Sequence, residues 1–496
     1  MSLLSKPKLK VLFVAPEAKP FAMEGGLGTV MNSLPLALHK QGVDARVMIP
    51  RFLSIDENKF HITMEHKGLR VPTDNQKDRK QLICNVKKFA GNLGKGMVPA
   101  FFLENLEYYE QRANIYGYGD DAVRWALLAR GTIEFLKVSE WFPDIIVCGD
   151  YMAGLIPNYL KTKYQDDPKL KNIKTIFTIH NLEYQGINYR FGAESDFDDG
   201  HSEVPAFEDP RLMNINMSRR AIMYSDFVTT VSETYAKEIM TEQFGALLDD
   251  LLRERRAYVM GILNGLNYAM WDSKKDPLIA SPFTAGSFGA RTENKRALQQ
   301  RFGLPEKPDA FLIGIASRIV AQKGFDLLMP ILEPLLNELD IQMVLVGQGS
   351  NDLMKFFDDM QKKFPEQVSL HLKFDSSLPH LIFAGADATL IPSRYEPCGL
   401  TQMEAMRYGC VPIARKTGGL ADTIQNYDPV TDEGYGFLFD EKEPFPLMVA
   451  IVRAYENFRH RGVWKKLQLR AMKKDFSWEQ SAKKYVALFE RVVKMK

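Results

Sequence analysis

Residues 10–50, KVLFVAPEAKPFAMEGGLGTVMNSLPLALHKQGVDARVMIP, decide the fold. The opening KVLFVA (10–15) is apolar without alternation, as expected of a parallel strand buried on both faces. A loop follows and ends in Gly25-Gly26-Leu27-Gly28. Val30, Leu34 and Leu38 then recur at helical spacing, and ARVMIP (45–50) reads as a second buried strand. Strand, glycine loop, helix and strand in that order make one βαβ unit.

Outward from this unit, DIIVC (144–148), KTIFTI (174–179) and DFVTTV (226–231) read as further strands. The pattern restarts with AFLIGIAS (310–317), QMVLV (342–346), ADATLI (386–391) and VPIA (411–414). Phe325–Leu339 reads as helical between them, with Pro330 and Pro334 blurring its ends. Strands alternating with helices predict an α/β fold with parallel sheets covered on both faces. At 496 residues the chain exceeds the roughly 250–300 that one core supports. Two Rossmann-like domains facing a central cleft are expected, 1–265 and 266–475. The stretch 272–290 reads as irregular, near the crossover. From Trp478 on, Ala482, Tyr485, Leu488, Phe489 and Val492 keep helical spacing, so 476–496 is expected to dock as a helix, back on the first domain.

A formal net charge of +2 weighs against a nucleic-acid binder. Cys84, Cys148, Cys398 and Cys410 are scattered and suggest reduced thiols in a cytoplasmic setting. The apolar start, Val11–Pro16, is too short for a signal-peptide core, and no run of about 18 apolar residues predicts a membrane span. Oligomeric state leaves no mark in the sequence.

In parallel sheets of this kind, ligands bind beyond the carboxyl ends of the strands. The chemistry is therefore expected in the loops there. After ADATLI comes PSRYEPCGLTQME (392–404), with Glu396 in the turn and Glu404 on a helix starting near Gly399. Two carboxylates there can accept hydrogen bonds from sugar or ribose hydroxyls. After AFLIGIAS, Arg318 and Lys323 bring two cations suited to a diphosphate leaving group. Gly418-Gly419-Leu420, after VPIA, resembles a phosphate cradle. In the first half, His180 and Asn181 follow KTIFTI. Asp150 follows DIIVC and is as much a helix N-cap as a sugar ligand. Glu17 and Gly26–Gly28 follow the first strand, and Tyr118 lies in IYGYGDD, where an aromatic ring can stack on a sugar.

Together these residues resemble the bacterial glycogen synthase and plant starch synthase family, of GT-B fold, along almost the whole chain. Its most specific parts here are SRYEPCGLTQ, TGGLADT, SRIVAQKG, TIHNLEYQG, ILNGLNYAMW and ENKRALQ. The resemblance implies a retaining transfer of glucose from ADP-glucose to the non-reducing end of an α-1,4-glucan. It implies no cofactor, no metal, no nucleic acid and no membrane. Arg318 and Lys323 would bind the distal phosphate, Glu396 would hold the glucose hydroxyls, and His180 would hydrogen-bond the sugar. Asp150, Tyr118 and Glu17 would line the donor and acceptor sides, and Asn264 would sit near the domain junction. The chain departs from the family's pattern at Met23, where lysine is usual, at Met152, where histidine is usual, and at Glu404, where bacterial members carry tyrosine. These departures leave open another nucleotide-sugar donor, a short oligosaccharide acceptor, or a weakly active glucan-binding paralogue.

Overall fold

The computed structural model describes residues 8–186, 198–373 and 375–495. The chain divides into two compact units, one running to Gly265 and resuming at Trp478, the other Leu266–Ser477.

The first unit is built on a nine-stranded sheet. Its strands are β1 (Lys10–Val14), β2 (Asp44–Pro50), β3 (Thr63–Pro72), β4 (Gln81–Phe89), β5 (Ala100–Glu104), β6 (Ile145–Gly149), β7 (Lys174–Ile179), β8 (Phe227–Thr230) and β9 (Val259–Gly261). Their spatial order is β3-β4-β5-β2-β1-β6-β7-β8-β9. β1 pairs in parallel with both β2 and β6, and Val11 to Val14 are buried. Successive residues of a strand point to opposite faces, and burial of all four is why the run KVLFV is apolar on both. Two antiparallel pairings, β3 with β4 and β4 with β5, extend the sheet at one edge. The sequence reading lacks all three of these strands. β4, QLICNVKKF, alternates buried and exposed residues at its start and turns polar at its end.

The second unit carries a six-stranded sheet whose pairings among the described residues are all parallel. It comprises β10 (Phe311–Ala316), β11 (Ile341–Val346), β12 (Val368–His371), β13 (Ala388–Ile391), β14 (Val411–Arg415) and β15 (Phe437–Phe439). The order is β12-β11-β10-β13-β14-β15. Its core joins Ile313, Ile315, Leu345 and Phe437 to helix-borne Phe357, Leu447 and Trp464.

Two expectations of the sequence are corrected here. The helix expected over 325–339 is a short 3-10 turn, Phe325–Leu328, and a separate helix, Leu332–Glu338. Pro330 falls between them, where its missing N–H and ring break a continuous helix, and Pro334 lies in the first turn of the second, where proline is tolerated. Phe476 and Ser477 also stay with the second unit, because the Leu266 N–H donates to the Phe476 carbonyl at 2.7 Å. The helix Trp478–Val493 belongs to the first unit. There Ser481 Oγ donates to the Leu263 carbonyl at 2.6 Å, and Lys40 pairs with Glu479 at 2.6 Å.

Candidate active site

In the second sheet, the chain leaves β10 toward β11 on one side and returns to β13 on the other. The loops after β10 and β13 diverge at this switch point, where open α/β sheets bind ligands. The first loop carries Arg318 and, on the 3-10 turn Ala321–Lys323, Lys323. The second carries Ser393 and Glu396. Gly324 lets the loops meet: its φ is 70°, and a Cβ there would lie 2.0 Å from the Pro392 carbonyl oxygen.

Lys323 Nζ lies 2.6 Å from Glu396 Oε2, with the two side chains 18% and 9% exposed. Ser393 Oγ, fully buried, donates to the same oxygen at 2.9 Å. Oε1 of Glu396 takes no hydrogen bond from a described residue. Arg318 is exposed, and its guanidinium enters no ion pair or hydrogen bond among the described residues. A cavity of about 60 Å³ opens between the loops, with Ser317, Lys323, Ser393, Glu396, Thr401 and Gln402 in its lining. Gln402 spends its NH2 on the Cys398 carbonyl at 3.1 Å, the Gly399 carbonyl at 2.9 Å and Thr423 Oγ1 at 3.1 Å. Its buried carbonyl oxygen has no partner among the described residues. The sequence reading includes Ser393 and Gln402 in the motif SRYEPCGLTQ but gives neither a role.

The helix carrying Glu404 is Thr401–Arg407, beginning two residues past Gly399, whose φ of 69° is left-handed. Glu404 is half-buried, and burial pushes its carboxyl up to about 8. The glycines expected as a phosphate cradle face the protein itself. The Gly419 N–H donates to the Glu396 carbonyl at 3.1 Å and that of Leu420 to the Thr417 carbonyl at 3.0 Å. A Cβ at Gly418 would lie 2.0 Å from the Glu396 carbonyl oxygen, and one at Gly419 1.8 Å from that of Cys398. These glycines thus bring the helix Gly418–Thr423 against the Glu396 turn, and Leu420 packs with Ile391, Ala414 and Ile424.

In the first unit the switch point lies between β1 and β6. Asp150, just past β6, adopts φ 54° and ψ −177°, a strained conformation for a residue with a Cβ. Its Oδ1 accepts the N–H of His180 at 2.7 Å and of Asn181 at 3.4 Å. It therefore fixes the loop after β7, and its side chain caps no helix. Burial pushes its carboxyl up to about 7; the two N–H groups oppose that shift and the Glu17 carboxylate adds to it. Burial lowers His180 to about 4, so the ring is neutral at pH 7, and its Nε2 has no partner among the described residues.

Glu17 is buried and accepts the N–H groups of Glu24 and Gly25 on Oε2, at the start of the helix Gly26–Lys40. A Cβ at Gly28 would lie 3.1 Å from that oxygen, whereas Gly26 has open space. The ring that reaches Glu17 is Tyr116, donating to Oε1 at 3.2 Å. Tyr118 instead lies between the guanidinium groups of Arg112 and Arg124, at 4.9 and 5.0 Å, and accepts the Asn114 N–H at 2.9 Å. Asn264, past β9, is buried with an unpartnered Oδ1 among the described residues. Asn181 Oδ1 accepts the Glu183 N–H at 3.1 Å.

Two Rossmann-like units, each with polar and charged side chains gathered at its switch point, define a glycosyltransferase of the GT-B class. Residues 10–254 match the family model for the starch synthase catalytic domain, and residues 297–466 that for glycosyl transferases group 1. The glycogen synthase of Clostridium perfringens is 40% identical over 98% of this chain and 99% of its own length. That of Geobacillus stearothermophilus is 38% identical over 98% of each chain. The solved catalytic domain of starch synthase IV from Arabidopsis thaliana, bound to ADP and acarbose, is 30% identical, with a TM-score of 0.83 over 98% of this chain and 100% of that one. The chain belongs to the glycogen synthase and starch synthase family. Among the described residues no helix is long and apolar enough to cross a membrane.

Proposed function

We propose that the protein transfers glucose from ADP-glucose to the non-reducing 4-hydroxyl of an α-1,4-glucan, with retention at the anomeric carbon. In this reading the bond from C1 to the distal phosphate oxygen breaks and a bond from C1 to the acceptor oxygen forms on the same face. The acceptor proton passes to the departing diphosphate. Arg318 and Lys323 bind the distal phosphate and stabilise its growing charge, so no metal is required. Glu396 offers a carboxylate oxygen to the glucose hydroxyls and to positive charge at C1. Glu404 takes the ribose, while neutral His180 and Asp150 meet sugar hydroxyls.

The observation that carries the reading is the pairing at the second switch point. There a cation and a carboxylate lie 2.6 Å apart, and the loop that carries the cation also carries an exposed arginine, Arg318, with no ion pair among the described residues. The Arabidopsis relative, whose structure holds ADP and acarbose, supports the donor and acceptor classes.

The test is nucleotide release and glucan growth with glycogen and each of ADP-, UDP- and GDP-glucose. ADP release with growth of chains cleaved by an α-1,4-specific hydrolase is expected. Growth only with another donor assigns that nucleotide instead. No release with any donor leaves a glucan-binding protein.

A further inference from the structure

Glu396 uses its two oxygens differently. Oε2 takes both Lys323 Nζ at 2.6 Å and Ser393 Oγ at 2.9 Å, while Oε1 takes nothing from the described residues. Ser393 is itself fixed from behind, because Arg415 Nε, on β14 and buried, donates to the Ser393 carbonyl at 2.8 Å. Its hydroxyl is fully buried at the wall of the cavity shared with Lys323 and Glu396.

A cation cannot serve the carboxylate and a diphosphate at full strength together. As Lys323 turns toward phosphate oxygens, Oε2 loses its stronger partner just when the orientation of Oε1 matters most. Ser393 carries no charge for a phosphate to attract, so its hydrogen bond persists. We infer that Ser393 is a positioning residue: its hydroxyl holds Oε2 of Glu396 while Lys323 engages the leaving diphosphate, and so keeps Oε1 turned toward the hexose. The inference rests on the assignment of Lys323 to the donor phosphate.

The experiment compares Ser393→Ala, Ser393→Thr and Lys323→Met with the wild type. It measures kcat and KM for the nucleotide sugar that the wild type turns over, and ADP affinity by calorimetry. ADP carries no hexose and reports the phosphate site without Glu396 Oε1. One hydrogen bond to a charged group corresponds to about ten- to a hundredfold in kcat, so Ser393→Ala should lose that much while ADP affinity stays within about twofold. Ser393→Thr, which keeps the hydroxyl, should fall between alanine and the wild type. A kcat of Ser393→Ala within about threefold of the wild type, or an ADP affinity that falls as far as kcat, overturns the inference. Lys323→Met separates the two failures. Weaker ADP binding there beside a normal Ser393→Ala kcat discards Ser393 and keeps the phosphate assignment. Unchanged ADP binding in Lys323→Met discards the assignment, and the inference with it.

Discussion

Replacing Lys323 with methionine removes the ammonium 2.6 Å from Glu396 Oε2 and keeps most of the apolar stem. What remains is a carboxylate 9% exposed, with Ser393 as its only hydrogen-bond donor among the described residues. Removing one partner of a buried pair costs about 3–5 kcal/mol, whereas an exposed pair contributes about 0–1 kcal/mol. Lys323 keeps 18% of its side chain accessible, and Ser393 still donates, so the low end applies, about 3 kcal/mol. For a domain of this size each kcal/mol moves the thermal midpoint by about 2–4 °C, which gives a fall of roughly 6–12 °C in the second unit's transition. Adding Glu396→Gln replaces the stranded charge with an amide and should restore about 1–2 kcal/mol of that loss. Scanning calorimetry at pH 7 without nucleotide measures both. A Lys323→Met midpoint within about 2 °C of the wild type would refute the reasoning, because the pair would then contribute no more than a surface contact.

Three further perturbations follow from the site. Asp150, raised to about 7 from 3.8, ionises across neutral pH, so kcat/KM should rise through pH 7 in the wild type and lose that limb in Asp150→Asn. For folding the sign is reversed: the folded carboxyl binds its proton more tightly than the unfolded one, so stability should fall as pH rises from about 4 to about 7, and melting of Asp150→Asn should lack that decline. Glu404, raised to about 8, should accept ribose hydroxyls more strongly once ionised, so ADP affinity should tighten from pH 7 to 9 in the wild type and stay flat in Glu404→Gln; equal slopes in calorimetric titrations would remove Glu404 from the nucleotide site. Met23→Lys should raise kcat/KM with ADP-glucose by roughly ten- to a hundredfold, the size of one charged hydrogen bond, and no gain would mean that the loop serves another donor or acceptor.

Most of the parallel strands were legible, the short β9, β12 and β15 excepted, because burial on both faces leaves runs such as KVLFV and IQMVLV with almost no polar residue. Lys323 and Glu396 were legible because each lies in a loop at the end of such a run. The strands β3 and β4 were not, since a partly exposed antiparallel edge mixes Lys, Arg and Glu into the pattern, and β5, buried and parallel to β2, is a short apolar run that periodicity alone does not tell from a helix segment. In IYGYGDD, two tyrosines stand two residues apart in a glycine loop with no periodicity, and only the fold turns Tyr116 toward Glu17. Gly418-Gly419 shows a deeper ambiguity. Glycine is needed wherever a backbone comes close, and a phosphate and a carbonyl oxygen demand it alike; here the neighbours are the carbonyls of Glu396 and Cys398.

The two methionines that depart from the family pattern differ in what holds them. Met152 is buried beside Asp150, 5% exposed, in the 3-10 turn Tyr151–Ala153. A histidine restored there would bring two ring nitrogens into a buried site, where each needs a hydrogen-bond partner. Packing therefore favours methionine at 152. Met23 is 52% exposed; its Cβ and Cγ lie close to Gly28, where a glycine leaves room, and its sulfur accepts the Thr29 hydroxyl at 3.6 Å. Lysine has the same first two carbons and would place its ammonium in solvent-accessible space without moving the loop. Beyond the weak Thr29 contact to its sulfur, no described contact selects methionine at 23, so that substitution is chiefly a change in the chemistry the loop offers. Met23→Lys is thus the variant whose kinetics report on the reaction with the least disturbance of the fold.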